Sequence, residues 1–173
     1  PEGETINSIH SYLGYLAVAT SKGIRICQIN ATTSGSYVTM GPLLVELSYA
    51  VKGFTEKGTY LYAATKVDNE DATYTHGALL RIDLSQQFDD GTFAYAWDLE
   101  YRSSVNTENE DPFTAMSSEA TEVYTLDNRL VMVINEGATA GELQVEHSTN
   151  KRDTGWIQTG KIRYGTIEPK LDR

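Results

Sequence analysis

The chain has 173 residues, of which 40% are hydrophobic and 22% are charged, a balance typical of a globular protein rather than a disordered one. Its formal net charge of −10 disfavours nucleic acid and anionic membrane surfaces as partners, because both require clustered lysine and arginine. The single cysteine, Cys27, excludes an internal disulfide.

The first predicted strands form one group. A weak strand over 6–9 precedes the apolar segment Tyr15–Thr20, and strands that open on glycine follow over 23–26 and 35–38. Alternation with a period of two and enrichment in β-branched and aromatic residues favour strands here. We expect Tyr15–Thr20, which is continuously apolar, to be a central strand covered on both faces.

The same order of elements recurs twice further along the chain. Tyr60–Thr65 repeats the pattern of Tyr15–Thr20, and the segment 129–134 repeats it more loosely. We expect both to be central strands, whereas residues 79–84 alternate in polarity and are expected to be half-exposed. The strands predicted around these two segments lie at 50–54, 77–82 and 91–95 in the second unit and at 120–124, 141–145 and 155–159 in the third.

Four antiparallel strands per unit is the composition of a β-propeller blade. We therefore predict an all-β fold with three four-stranded antiparallel blade-like repeats, at about 6–47, 48–101 and 119–164, and a polar linker over 103–118. Three blades cannot close a ring of the usual ~4–8 blades. The chain is then a single all-β domain that self-associates, or a fragment of a larger propeller. A β-sandwich is the alternative fold, since ten or more short strands would allow it.

An acidic loop is the candidate metal site. Asp68, Glu70 and Asp71 are closely spaced carboxylates, and oxygen ligands of this kind suit Ca²⁺. The loop lacks the glycine-punctuated pattern of an EF-hand. A solvated loop between strands is the alternative interpretation, and we predict no cofactor other than this possible Ca²⁺.

Aromatic residues near strand ends are the candidate ligand-binding residues. Tyr74, Trp97, Tyr101 and Trp156 could stack on sugar rings or fill a protein interface. The alternative is that they fill the space between packed sheets.

Local catalytic motifs are missing from the sequence, so we predict no catalytic residue. There is no Gly-x-Ser-x-Gly, no phosphate-binding glycine loop followed by lysine, and no dinucleotide fingerprint. The segment Asp89–Phe93 resembles the aspartate turn of sialidases but is one residue shorter. No apolar run approaches the ~20 residues of a membrane-spanning helix, so no membrane insertion is expected.

The segment Gly155–Lys170 resembles parts of the minor tail and tail-tip proteins of tailed bacteriophages, in which a Gly-aromatic-aliphatic strand precedes a Glu-Pro-Lys crossover. The resemblance implies a non-enzymatic structural or binding module in the virion, with other tail proteins as partners and a role in host-surface attachment. The alternative function is a carbohydrate-active propeller, either a sialidase-like hydrolase or an adhesin that binds a cell-surface glycan. Such a protein would be extracellular or at the cell surface.

Overall fold

A computed structural model describes residues 3–68, 75–87, 93–103, 117–136 and 140–147. In these residues the protein consists of twelve β-strands in three antiparallel sheets, which confirms the all-β prediction. Each sheet is built from strands that are consecutive in sequence. The predicted strand over 155–159 lies outside the described residues, as does most of the predicted linker.

Sheet 1 has five strands. The first four follow one another in the order β1-β2-β3-β4, and the fifth also pairs with β3. This extra strand, β5, was not predicted from the sequence. The strands are β1 (Ile6–Tyr12), β2 (Tyr15–Thr20), β3 (Gly23–Thr32), β4 (Gly35–Thr39) and β5 (Leu43–Glu46).

Sheets 2 and 3 repeat the same sequential order with four and three described strands. Tyr15–Thr20, Tyr60–Thr65 and 129–134 therefore lie in the second strand of their respective sheets, as the repeat in sequence predicts. Sheet 2 contains β6 (Gly53–Lys57), β7 (Tyr60–Asp68), β8 (Thr75–Gln87) and β9 (Phe93–Arg102), and sheet 3 contains β10 (Ser118–Leu126), β11 (Arg129–Glu136) and β12 (Ala140–Val145).

The strand β5 can reach β3 because two glycines leave room for backbone. Gly23 has a φ of +137°, and a Cβ there would lie 1.9 Å from the carbonyl oxygen of Val45. A Cβ at Gly41 would lie 1.8 Å from the carbonyl oxygen of Ile26. Only glycine fits at either position, so β4 and β5 can share one edge of β3.

Sheet 2 lies between the other two sheets and is covered on both faces. Leu61 and Ala63 of β7 pack with the apolar residues of sheet 1, whereas Tyr62 and Ala64, which point the other way, pack with those of sheet 3. Successive strand residues point to opposite faces, so a strand covered on both sides is apolar throughout. This confirms the prediction that Tyr60–Thr65 is a central strand.

The prediction of a half-exposed strand over 79–84 is confirmed for 80–84, where buried residues alternate with the partly exposed Arg81 and Asp83, but not for Leu79. Leu79, Leu80, Ile82 and Leu84 of β8 are all buried, at 3% exposure or less. Leu79 faces sheet 3, while Leu80 and Ile82 face sheet 1, so each side chain is covered by the sheet that it faces. The polar residue that suggested exposure, Arg81, is held by ion pairs with Asp98 and Glu100.

Candidate functional site: end faces and polar contacts of the sheets

The structure places the two described candidate aromatic residues on opposite faces of sheet 2. Trp97 pairs in register with Ile82, which faces sheet 1, and Tyr101 pairs with Leu79, which faces sheet 3. A register shift in β9 between these pairs changes the face. Trp97 and Tyr101 therefore do not form one platform, and Tyr74 and Trp156 lie outside the described residues.

Tyr101 has a packing role between sheets. It is partly buried against the core between sheets 2 and 3, and its hydroxyl donates a hydrogen bond of 2.6 Å to Oε1 of Gln144 in β12. Buried tyrosines commonly keep their hydroxyl paired in this way. Trp97, by contrast, is 44% exposed and is the candidate that remains accessible to a ligand.

Only one of the three candidate calcium ligands is described. Asp68 is the last residue of β7, and its carboxylate accepts a hydrogen bond from the Tyr49 hydroxyl. This hydrogen bond raises the pKa of Tyr49. Glu70 and Asp71 lie outside the described residues, and the described part of the chain brings together no group of three or more His, Cys, Asp or Glu side chains that could hold a metal ion.

A charged cluster lies on the face of sheet 2 that points toward sheet 3. Nη2 of Arg81 lies 2.7 Å from Asp98, and Nη1 lies 2.9 Å from Glu100. Burial, followed by the negative charge of Glu100, raises the pKa of the neighbouring Tyr62 to about 12. The phenol of Tyr62 therefore stays protonated near neutral pH.

A buried hydrogen-bond network joins the two ends of the predicted linker. Ser103 and Ser118 are 1% and 4% exposed, and their hydroxyl oxygens are 2.9 Å apart. The Ser118 hydroxyl also accepts a hydrogen bond of 2.8 Å from the Gly77 amide. Nδ1 of His76 lies 2.8 Å from the carbonyl oxygen of Ser103, which can only accept, so Nδ1 carries a proton. Burial lowers the pKa of His76.

Another ion pair anchors the N-terminal segment to sheet 1. Nε and Nη2 of Arg25 donate hydrogen bonds of 2.8 and 2.7 Å to the two carboxylate oxygens of Glu4, and Nη1 donates to the carbonyl oxygen of Gly41. The hydrogen bond from Arg25 lowers the pKa of Glu4. A bidentate pair of this kind fixes the relative orientation of the two side chains as well as pairing their charges.

The three sheets present equivalent residues in the same directions. The fourth residue of the repeat is Val18 in β2, Ala63 in β7 and Met132 in β11. Ala63 and Met132 each face the preceding sheet, and Val18 points away from sheet 2. In sheets 1 and 2, the two residues that flank this fourth residue in the strand face the following sheet. Each sheet therefore has a face for its predecessor and a face for its successor.

Two faces have no described sheet packed against them, but they differ in exposure. We name the outward face of sheet 3, which includes Val131, Val133, Leu143 and Val145, the sheet-3 end face; Leu143 and Val145 are largely exposed on it, whereas Val131 is 8% exposed. On the outward face of sheet 1, Ile9 is 57% exposed, but Val18 is 2% exposed and Cys27 is fully buried, so that face is mostly covered. A groove of about 420 Å³ runs along the sheet-3 end face and is lined by Leu126, Asp127, Arg129, Val131, Leu143 and Val145.

A sequence signal for the sheet-3 end face lies in residues 143–147, where apolar and polar residues alternate as in a half-exposed strand. Alternation puts Leu143 and Val145 on one face, where they are 64% and 51% exposed. Apolar residues that are contiguous on an exposed sheet face indicate an interaction surface.

Comparison with known proteins identifies no relative: no protein-family model, no curated protein and no solved structure matches this chain. In the described residues, no helix has the length and apolar character needed to cross a membrane.

Proposed function

We propose that this protein is a non-enzymatic structural or binding module of a bacteriophage tail or a similar large assembly, built from three consecutive blades of a β-propeller. Its partners are other proteins of the assembly, and its location is the virion. Attachment to a host surface is the role that such a module performs at a tail tip.

The blade arrangement is supported by the way the sheets stack: equivalent residues of successive sheets face the same direction along the stack. Leu61 and Leu130, at equivalent positions of β7 and β11, both pack against the preceding sheet. Consecutive antiparallel sheets that stack with the same face forward are the construction of propeller blades. A module of this kind ends in faces suited to further sheets, which supports a place within a larger assembly. The assignment to a phage tail depends on the resemblance of Gly155–Lys170.

The gene neighbourhood tests the assignment to a tail. We expect the gene to be flanked by genes for a tape-measure protein and other tail components. A neighbourhood without any virion gene would contradict the assignment, while leaving the arrangement of the sheets untouched.

A glycan-binding adhesin is the second candidate function, and the exposure of Trp97 favours it. An indole that is 44% exposed on a strand offers the flat apolar surface on which sugar rings stack. A glycan array and a hydrolysis assay with the full chain separate the candidates. Turnover of any glycan would contradict a non-enzymatic role. Binding without turnover that is lost in Trp97→Ala, but kept in the exposed control Tyr124→Ala, would support the adhesin.

A further inference from the structure

The sheet-3 end face carries a side chain that both internal interfaces bury. Ile24, Leu79 and Leu143 occupy equivalent positions, because each pairs with the fifth residue of the repeat in the preceding strand. Ile24 packs in the core between sheets 1 and 2 and is 1% exposed, and Leu79 packs in the core between sheets 2 and 3 and is 3% exposed. Leu143, by contrast, is 64% exposed.

The central strand of sheet 3 is apolar on both of its faces. In β11, Leu130 and Ile134 pack against sheet 2, whereas Val131 points to the sheet-3 end face, where it is 8% exposed and forms the floor of the groove. A strand that is apolar throughout is typical of a sheet with both faces covered. Leu143 and Val145 lie on the same face in β12 and are 64% and 51% exposed, so the groove has an apolar wall that is open to solvent.

Two opposite charges also line this groove. Asp127 lies in the turn between β10 and β11, Arg129 is the first residue of β11, and both side chains are exposed. Within the described part of the chain, neither side chain forms an ion pair. An acidic and a basic group side by side are complementary to a second copy of themselves, because a two-fold rotation places each group opposite the other.

We propose that two copies of this chain associate through their sheet-3 end faces, about a two-fold axis. The apolar side chains of the two faces interdigitate, as they do between packed sheets, so that Leu143 and Val145 of each copy cover the groove of the other. Asp127 of each copy then pairs with Arg129 of its partner. This inference goes beyond the proposed function and does not depend on the assignment to a phage tail.

The charges and the size of the surface identify a second copy as the occupant. A partner with charges of one sign at this contact would place a like charge against Asp127 or Arg129, whereas a second copy satisfies both. Covering the exposed apolar side chains and these two charged ones on both copies removes on the order of 1,000 Å² from water, the lower limit for a specific interface. We therefore expect a dissociation constant of roughly micromolar size.

Sedimentation velocity of the full chain over a wide range of concentration tests the contact. We expect the unaltered chain to form a dimer. Leu143→Asp should raise the dissociation constant by roughly a hundredfold or more, because the dimer would bury two carboxylates without partners. Leu13→Asp is the matched control, since Leu13 is 56% exposed, lies in the turn between β1 and β2 away from the sheet-3 end face, and should leave the dimer unchanged.

Charge reversal tests the two-fold arrangement. In a dimer of Arg129→Glu, or of Asp127→Lys, both ion pairs become like-charged pairs, so each variant should raise the dissociation constant about tenfold. A heterodimer of the two variants restores both pairs, because Asp127 meets Arg129 on one side and the two new charges meet on the other. An equimolar mixture should therefore associate more tightly than either variant alone. Asp127 has a φ of +47°, so the melting temperature of Asp127→Lys is recorded to separate strain in the monomer from loss of the contact.

Three results would each overturn the proposal: a chain that stays monomeric at all concentrations, assemblies larger than a dimer, or no recovery in the mixture of the charge variants. For a monomeric chain, the melting temperature of Leu143→Asp identifies the alternative. A large decrease relative to Leu13→Asp would mean that another part of the same chain covers the sheet-3 end face. An unchanged value would mean that the face is left for a different protein.

Discussion

Sheets 2 and 3 share strand order and the direction in which equivalent residues point, but in the described part of the chain sheet 2 lies between two sheets, whereas the outward face of sheet 3 carries the largely exposed Leu143 and Val145. Leu79 in sheet 2 is 3% exposed, and its equivalent in sheet 3, Leu143, is 64% exposed. Both are leucines in the third strand of their sheet. The difference teaches that the neighbouring sheet, rather than the strand's own sequence, determines how much such a residue contributes to stability.

The largest expected effect comes from truncating this pair of leucines. Leu79→Ala removes packed atoms from the core between sheets 2 and 3 and should lower the free energy of unfolding by about 2–5 kcal/mol. Leu143→Ala should change it by less than about 0.5 kcal/mol in the monomer, since the side chain is mostly exposed. Urea denaturation at low protein concentration measures both.

Equal effects of the two leucine variants would contradict the comparison, because they would mean that the sheet-3 end face is already covered within the monomer. A denaturant slope that stays constant across the variants serves as the control, since it shows that the same surface is exposed on unfolding.

Two equivalent glycines give a smaller effect of the same kind. A Cβ at Gly77 would lie 2.7 Å from Cδ1 of Ile134 and 3.0 Å from the amide nitrogen of Ala120, so Gly77→Ala forces sheets 2 and 3 apart. We expect a loss of about 1–3 kcal/mol. At Gly141 the nearest atom is a carbonyl oxygen at 3.6 Å, an ordinary contact. Gly141→Ala should be neutral or stabilising by up to about 1 kcal/mol.

Thermal unfolding of these two glycine variants beside the unaltered chain measures the difference. A melting temperature for Gly77→Ala at or above that of Gly141→Ala would show that sheets 2 and 3 are not closely packed at this point.

The smallest expected effect concerns pH and the network between sheets 2 and 3. Burial lowers the pKa of His76 below its ordinary value of 6.5, so the folded state takes up a proton less readily than the unfolded chain. The contribution of His76 to the free energy of unfolding is therefore fully present above about pH 6.5. It is lost as the pH falls from there toward the pKa of His76 in the folded state. Denaturation between pH 5 and 8 should show stability decreasing toward acid.

His76→Asn is the informative variant for this pH dependence, because an amide can still donate to the carbonyl oxygen of Ser103 but does not titrate. The difference in stability between the two proteins should shrink as the pH falls. A difference that is constant across this range would mean that His76 titrates in the folded protein as it does in the unfolded chain.

Local pattern was sufficient to predict most strands and the two-sided cover of β7, but not which sheet covers each face. The apolar repeats at Tyr15–Thr20 and Tyr60–Thr65 located β2 and β7 because a strand has its own period in sequence. The strand β5 was missed because its pairing depends on the close approach of backbone at Gly23 and Gly41. Alternation also predicted the partly exposed positions of β8, Arg81 and Asp83, but not the burial of Leu79, which depends on packing against sheet 3.

The candidate site was less accessible to sequence reasoning. Trp97 and Tyr101 are four residues apart and were grouped as aromatic candidates, but the register shift in β9 turns them to opposite faces. The hydrogen-bond network of His76, Ser103 and Ser118 joins residues that are far apart in sequence, so no local sequence motif indicates it.

By itself, the sequence determined that the chain forms antiparallel strands in three recurring units, because alternation, turns and apolar segments act over a few residues. Only the tertiary structure decided which sheet covers each strand face, that sheet 2 is the central one of the described sheets, and that Leu143 is largely exposed on the outward face of sheet 3. Those features depend on contacts between distant segments: a continuously apolar strand indicates that both of its faces are covered, but which sheets cover them is set by tertiary packing.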